Sequence, residues 1–170
     1  MQNQVIQSEA IEETLQLMEK FTPAKMAEEQ RTFQKEQPNL LAFVLAMIDN
    51  LKQLDKEIIL YVTHIVWQTF RRLSPTKLPT ISIAKIENAL QTHQKLLKHL
   101  EKHPEVDRHE LFIKELEKHQ PYLMFYVAEI LTEEDEEGYT LSQVAVGTGF
   151  LVLTILVALF DAEYRKQFLM

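Results

Sequence analysis

The sequence predicts an all-α protein, a single-domain bundle of six to seven helices packed around a hydrophobic C-terminal helix. Leu, Ile, Glu, Lys and Gln dominate the composition, which favours helix, and only three of the 170 residues are glycine. Apolar residues recur at spacings of three and four along much of the chain, as on one face of a helix. The stretch 140–160 contains no charged side chain. A hydrophobic content of 46% argues against a disordered chain.

The stretch 140–160 is apolar all round, so a helix there must be surrounded on every side by protein or by lipid. Thr140 and Gln143 have the spacing of a capping box, so we expect the helix to begin near Thr140 and to end near 167. Ala145 and Gly149 are small residues four positions apart, a pair that lets another helix approach closely.

The same stretch could instead anchor the tail of the protein in a membrane, because a span needs about 20 mainly apolar residues. Its N-terminal flank is acidic, whereas the basic pair 165–166 follows its C-terminal end. That order would place the large N-terminal part outside the cell, yet we recognise no signal sequence to export it. The upstream helices also have apolar faces that need a partner. We therefore expect a buried core helix in a cytoplasmic protein, with the tail anchor as the alternative.

Capping residues and prolines divide the upstream chain into helices. Ser8 and Thr22 can cap the first two helices, Pro38 begins the third, and Asp55 resembles the N-cap of the fourth. The expected ranges are about 8–21, 23–37, 39–54 and 55–73. We expect the third and fourth helices to form an antiparallel hairpin with a very short joint, with one long kinked helix as the alternative. Residues 1–7 should be a loose terminus.

Two prolines mark the segment 74–80 as the clearest linker. It could separate two halves, 8–73 and 80–170, but neither half alone would surround the C-terminal helix. We therefore expect one domain over 1–170. A fifth helix should begin after Ser82, and a sixth near 107, with a kink or a fresh start at Pro121.

The fifth and sixth helices carry apolar residues at alternating spacings of three and four, as in a heptad seam. In an antiparallel hairpin, pairing Leu100 with Phe112 also pairs His93 with His119. Two facing imidazoles can bind a divalent metal ion or share a proton near neutral pH. Glu115, one turn before His119, could add a carboxylate ligand. The alternative is two packed, hydrogen-bonded histidines, because two ligands rarely make a metal site.

Other polar residues have a structural explanation beside a functional one. His99, His103 and His109 could form a cluster, but cationic groups are favoured at a helix C-terminus in any case. Arg71 and Arg72, with Lys77, could meet an acidic partner or could simply end a helix. Some polar residues on apolar helices could line a pocket or satisfy the edge of the core: Asp49, His64, Glu129 and Gln143.

Composition excludes several classes of function. The chain has no cysteine, which excludes disulfides, thiolate metal sites and a thiol nucleophile. The net charge of −7 argues against general nucleic-acid binding. The sequence contains no Glu-x-x-His pair of a di-iron bundle and no phosphate-binding glycine loop.

We therefore expect a non-enzymatic interaction or assembly protein without a cofactor, which binds a protein partner or itself as a homodimer. One alternative is a metal-binding or hydrolytic bundle with His93, His119 and Glu115 as ligands of a divalent metal. The second alternative is a membrane protein anchored through 140–160.

Overall fold

The computed structural model of the protein describes residues 4–105, 107, 110, 114 and 118–169. These residues form seven helices and no strand, which confirms the predicted all-α bundle. The helices are α1 (Ser8–Glu19), α2 (Pro23–Glu36), α3 (Pro38–Ile48), α4 (Gln53–Leu73), α5 (Ile83–Lys102), α6 (Pro121–Thr132) and α7 (Gln143–Lys166).

The C-terminal helix α7 is apolar, and four of the other helices pack against it. It contacts α3, α4, α5 and α6, and buries large side chains such as Leu153, Leu156 and Phe160. Within the described residues, α7 is the one helix long and apolar enough to cross a membrane, with a mean hydropathy of 2.2 over a window that is 44% buried. The core helix of a soluble protein passes the same test of length and composition.

The second buried element is α4, in which every residue from Val62 to Phe70 is buried. It packs against α7 on one side and against α1 and α6 on others. Its polar residues Gln68 and Arg71 both donate hydrogen bonds to Glu29 of α2. The polar side of α4 is thus enclosed as well, because α2 covers it.

The predicted hairpin of the third and fourth helices is wrong. α3 packs against α2, α5 and α7, while α4 packs against α1, α6 and α7. Both helices therefore place apolar side chains against α7. This is possible because α7 is apolar all round and can pack against two helices at once. α3 also ends at Ile48, earlier than the predicted end near 54.

The start of α7 differs from the predicted capping box. Its N-cap is Ser142 rather than Thr140, and the Ser142 hydroxyl accepts a hydrogen bond from the backbone N–H of Ala145 at 3.2 Å. The same hydroxyl donates to the carboxylate of Asp55 at 3.1 Å, and the Tyr139 hydroxyl donates to the other carboxylate oxygen at 2.5 Å. Asp55 is fully buried and lies in the first turn of α4, whose N-cap is Lys52. A buried carboxylate needs hydrogen-bond donors, and Ser142 and Tyr139 supply them to Asp55. Asp55 therefore joins the start of α4 to the start of α7.

Other local predictions are confirmed. The Thr22 and Ser82 hydroxyls cap α2 and α5 by accepting from the backbone N–H groups of Lys25 and Lys85. A fresh helix begins at Pro121, with Gln120 as its N-cap. The first cap was predicted wrongly, because Gln7 precedes α1 and Ser8 lies inside that helix.

Residues 4–7, which precede α1, are held in place, contrary to the predicted loose terminus, whose first three residues lie outside the described residues. The side chain of Ile6 is buried in the core. The backbone N–H of Ile6 donates to the Gln120 side-chain oxygen at 2.7 Å, and the Gln120 amide donates to the carbonyl of Gln4 at 3.0 Å. The buried side-chain amide of Gln120 thus makes two hydrogen bonds to the backbone of this segment, as the backbone of a neighbouring strand would.

The linker predicted at 74–80 is fastened to the junction of α2 and α3. The buried amide of Gln37 donates to the carbonyl of Pro79 at 2.9 Å and accepts from the backbone N–H of Ile81 at 3.0 Å. Leu78 and Ile81 are buried in the core. The proline-containing segment is therefore part of the packed structure.

The two glycines of α7 offer a matched test of its packing. A Cβ atom added at Gly149 would lie 3.2 Å from the Ile59 side chain and 3.3 Å from the Leu131 side chain. A Cβ atom added at Gly147 would have nothing within 4 Å. Gly149→Val should therefore lower the free energy of unfolding by about 1–3 kcal/mol through overpacking. Gly147→Val is the control and should change it by less than about 0.5 kcal/mol, since valine has a better helix propensity than glycine. Equal effects in urea denaturation would contradict the close approach of α4 and α6 to α7.

Candidate functional site

His119 lies beside a buried carboxylate that sequence reasoning did not single out. Its Nδ1 is 3.3 Å from a carboxylate oxygen of Asp161, which is 2% exposed on α7. A carboxylate only accepts, so Nδ1 must carry a proton in this hydrogen bond, and Nε2 is the remaining ring nitrogen. The side chain of His119 is 37% exposed, which leaves the ring accessible from solvent.

Asp161 is held by three side chains. Gln120 donates to it at 2.7 Å, and the Arg165 Nε donates at 2.9 and 3.0 Å, while Arg165 also donates to the carbonyl of His119. Burial by itself would raise the pKa of the Asp161 carboxyl, but hydrogen bonds from His119, Gln120 and Arg165 outweigh it and hold the pKa below its usual range. Asp161 is therefore a fixed negative charge that orients His119.

His93 also has an oxygen beside its Nδ1, the carbonyl of Ala89 at 2.9 Å. The ring is half-buried on α5. The pairing of His93 with His119 stays a prediction, because Phe112, which sets its register, lies outside the described residues. Glu115, the expected carboxylate ligand, lies outside them too. Among the residues described, no three histidine or carboxylate side chains are grouped as a metal site requires.

A second buried carboxylate, Glu29 of α2, connects α2 to α4. It accepts from Gln68 at 2.8 Å and from Arg71 at 2.6 Å, and Lys25 lies 3.1 Å from its other oxygen. Burial opposes its charge, but the hydrogen bonds from Gln68, Lys25 and Arg71 lower the pKa of Glu29 overall. The Arg71 guanidinium also lies over the ring of Trp67, 4.8 Å from its centroid. Arg71 is therefore occupied within the protein.

His64 is the buried polar residue of this region that lacks a complete set of partners. Its ring packs against Phe33 and Trp67, with centroids 5.2 and 6.2 Å apart. In the part of the chain that the structure describes, its Nδ1 is the one buried side-chain nitrogen or oxygen without a hydrogen-bond partner. Burial lowers the pKa of His64, and the nearby carboxylate of Glu29 opposes this only in part.

The remaining sequence candidates do not line an enclosed site. Asp49, Glu129 and Gln143 are all exposed. The rings of His99 and His103 lie 4.5 Å apart at the exposed end of α5. His109, the possible third member of that cluster, lies outside the described residues.

An open cavity of about 330 Å³ lies where the linker meets α4, lined by Glu36, Trp67, Arg71, Ser74, Pro75, Thr76, Lys77 and Leu78. Its cations Arg71 and Lys77 are matched by the carboxylates of Glu36 and of Glu29, the partner of Arg71. The cavity therefore has no excess charge that would select an ionic ligand.

Aromatic side chains are exposed on the outside of α4 and α6. We call this group the aromatic surface, and it consists of Tyr61, Tyr122, Phe125 and Tyr126. Tyr61, Tyr122 and Phe125 are 42%, 45% and 54% exposed, and Tyr126 is half-buried. The three residues of α6 lie at positions that share one helix face, and the opposite face is buried in the core.

Carboxylates border the aromatic surface. Burial, the Tyr61 phenol, Glu129 and Glu19 together raise the pKa of Tyr126 to about 12. Burial and the charge of Glu19 likewise raise the pKa of Tyr61. Tyr61 of α4 and Tyr126 of α6 are thus neighbours, with Glu19 of α1 and Glu129 of α6 around them.

Sequence reasoning missed this surface. The apolar spacing along the predicted sixth helix does not by itself distinguish Tyr122, Phe125 and Tyr126 from residues of the core. The available signal was the spacing of Tyr122, Phe125, Tyr126 and Glu129, which puts a charged residue on the same face as three aromatic ones. A buried face would exclude that glutamate.

No protein-family model matches the chain, and neither a curated protein nor a solved structure matches it. Function is therefore inferred from the geometry of the molecule itself.

The position of His64 makes the stability of the protein depend on pH. Its pKa in the folded state lies below the ordinary value of 6.5, so the unfolded chain binds more protons once the pH falls to that range. The free energy of unfolding should therefore decrease from about pH 7.5 to about pH 5.5. The lowered pKa values of Glu29 and Asp161 act at lower pH, because their stabilisation is lost only below the ordinary carboxyl range.

His64→Phe should abolish this decrease and raise the free energy of unfolding at neutral pH by about 1 kcal/mol, since it removes an unpaired buried nitrogen. Urea denaturation at the two pH values measures both effects. His99→Gln, at the exposed end of α5, is the control and should keep the decrease. A full decrease in the His64→Phe variant would show that His64 is not its source.

Proposed function

We propose that this protein is a non-enzymatic helical interaction protein that binds a protein partner through its aromatic surface. The observation that carries this proposal is the exposure of Tyr61, Tyr122 and Phe125 on two helices that pack together, α4 and α6, with Tyr126 close to Tyr61 where they meet. Aromatic side chains are enriched at protein interfaces and supply many of their energetically dominant contacts. Grouped exposed aromatic residues, in contrast to single ones, indicate an interaction site.

The helices that carry the surface support this role because they are firmly held. On α6, the buried residues Leu123, Met124 and Val127 fix the face opposite Tyr122 and Phe125. On α4, Tyr61 directly precedes the fully buried stretch that begins at Val62. Side chains presented by such a scaffold lose little conformational freedom on binding, which favours affinity.

Metal binding is the second candidate function, and one observation favours it. His93 and His119 both place Nδ1 next to an oxygen, the carbonyl of Ala89 and the carboxylate of Asp161. Histidines that bind metals characteristically pair one ring nitrogen in this way and present the other to the ion. The two rings would still need to come together, and a third ligand such as Glu115 would have to complete the site.

Phe125→Ser should weaken binding of the partner at least tenfold, because truncation of a central aromatic residue at an interface commonly costs about 2 kcal/mol. Proteins that co-purify with the full chain would be quantified, and the strongest one purified and titrated directly against each variant. Leu97→Ser is the matched control, since Leu97 is 50% exposed on α5, away from the aromatic surface. Equal loss in both variants, or none in either, would contradict the proposal.

The metal hypothesis predicts that the chain binds Zn²⁺ and that the double variant His93→Ala, His119→Ala loses at least about tenfold in affinity. Calorimetric titration of the purified chain with ZnCl₂ measures this, and circular dichroism checks that the helices persist. The double variant His99→Ala, His103→Ala is the control for weak binding by exposed histidines. Unchanged Zn²⁺ affinity in the first variant would rule out this site.

A further inference from the structure

The kind of partner follows first from the architecture around the aromatic surface, and the inference rests on the function proposed above. α1, α4 and α6 all contact one another, and the aromatic surface lies on α4 and α6 with Glu19 of α1 beside it. No strand is present in the described residues, so this surface offers no sheet edge for an added strand. Helical faces that meet in this way accept a further helix, whose side chains at three- and four-residue spacings pack between theirs.

The exposed apolar side chains extend far enough for such a helix. On α4, Leu54 and Tyr61 are both exposed and lie seven residues apart, which is two turns along the same face. On α6, Tyr122, Phe125 and Tyr126 occupy one face over slightly more than one turn. Tyr61 and Tyr126 are neighbours where the two rows meet. A partner helix of a few turns could therefore cover both rows at once.

The charged side chains around the aromatic surface indicate the sign of the charge that a partner should carry. Glu19 and Glu129 lie close enough to act on the phenols of Tyr61 and Tyr126, and Glu57 is exposed one turn before Tyr61 on α4. The chain as a whole carries a net charge of −7. A second copy docked on this surface would bring carboxylates against carboxylates, and such like-charge contacts oppose association. A partner with basic side chains would complement them and be attracted over a distance.

We propose that the occupant of the aromatic surface is an amphipathic helix of another protein, with an apolar stripe that packs on Tyr61 and Phe125 and basic side chains that meet Glu19 and Glu129. Its apolar residues recur at positions i, i+3, i+4 and i+7, and lysine or arginine flanks them. The aromatic residues supply most of the affinity, and the carboxylates supply the choice of partner and the rate of association.

Two synthetic helical peptides test this partner class directly. Both carry leucine at the same apolar positions, and the polar positions are lysine in one peptide and glutamate in the other. Fluorescence anisotropy measures the binding of each labelled peptide to the full-length chain at low and at physiological salt. The lysine peptide should bind at least tenfold more tightly than the glutamate peptide, and its affinity should fall with salt.

Variants of the chain separate specific docking from attraction by net charge. The double variant Glu19→Gln, Glu129→Gln should bind the lysine peptide about 3- to 10-fold more weakly, as expected for the loss of two charge pairs at the rim of an interface. Glu87→Gln with Glu101→Gln makes the same change in net charge on α5 and should leave the affinity nearly unchanged. Phe125→Ser should weaken the lysine peptide at least tenfold, while Leu97→Ser should not.

The outcomes distinguish failure of this inference from failure of the proposed function. If both peptides bind equally and Phe125→Ser abolishes their binding, the inference of a basic partner is overturned, while the aromatic surface remains an interaction site. Equal weakening by the two glutamine pairs would likewise overturn the role of Glu19 and Glu129. Binding that is indifferent to Phe125 would remove the aromatic surface as a docking site altogether. A dimer of the wild-type chain in light scattering that Phe125→Ser dissociates would identify a second copy as the occupant.

Discussion

The apolar circumference of α7 has to be covered, and the arrangement of the other helices depends on this constraint. A helix without a polar face cannot lie at the edge of a bundle in water, because each uncovered apolar side chain costs free energy. α3, α4, α5 and α6 all pack against it. The close approach of Ile59 and Leu131 to Gly149 shows how tightly α4 and α6 pack on one face of its N-terminal half. The separation of α3 from α4, which the sequence had suggested as a hairpin, follows from the same constraint.

Apolar packing has little directional preference, and buried carboxylates supply the orientation that it lacks. Glu29 joins α2 to α4, Asp55 joins α4 to the start of α7, Asp161 joins α7 to the residues before α6, and Glu163 of α7 pairs with Lys85 of α5 at 2.8 Å. Each of these carboxylates is at most 8% exposed. A buried charge without partners is strongly destabilising, so a misplaced helix would lose its ion pair or hydrogen bonds. These contacts therefore select one packing among several that would bury similar apolar area.

The aromatic surface and the core are two faces of the same helices. α6 buries Leu123 and Val127, and the face that it leaves outside carries Tyr122 and Phe125 with Glu129 among them. A face of this composition is too apolar for ordinary solvent contact and too charged for burial in the protein's own core. A partner with an apolar stripe and basic edges satisfies both requirements, because it covers the rings and leaves the carboxylates paired.

The sequence by itself determined the features that depend on residues three or four positions apart. The helical class, the caps at Thr22 and Ser82 and the fresh start at Pro121 belong to this group, because a cap or a proline acts on its own turn. The apolar character of α7 was equally visible, and it correctly predicted a central helix. Local rules failed at the start of α7, where the Ser142 hydroxyl both caps the helix and donates to the distant Asp55.

Only the tertiary structure decided which distant side chains meet. Asp55 and Tyr139 are 84 residues apart in the chain, and His119 and Asp161 are 42 apart, so their contacts depend on how the helices pack. Ser142 caps α7 in place of Thr140 because its hydroxyl also reaches Asp55. The exposure of Phe125 was decided in the same way. Periodicity shows that a helix has an apolar face, but which of two apolar faces is buried depends on the helices packed against it.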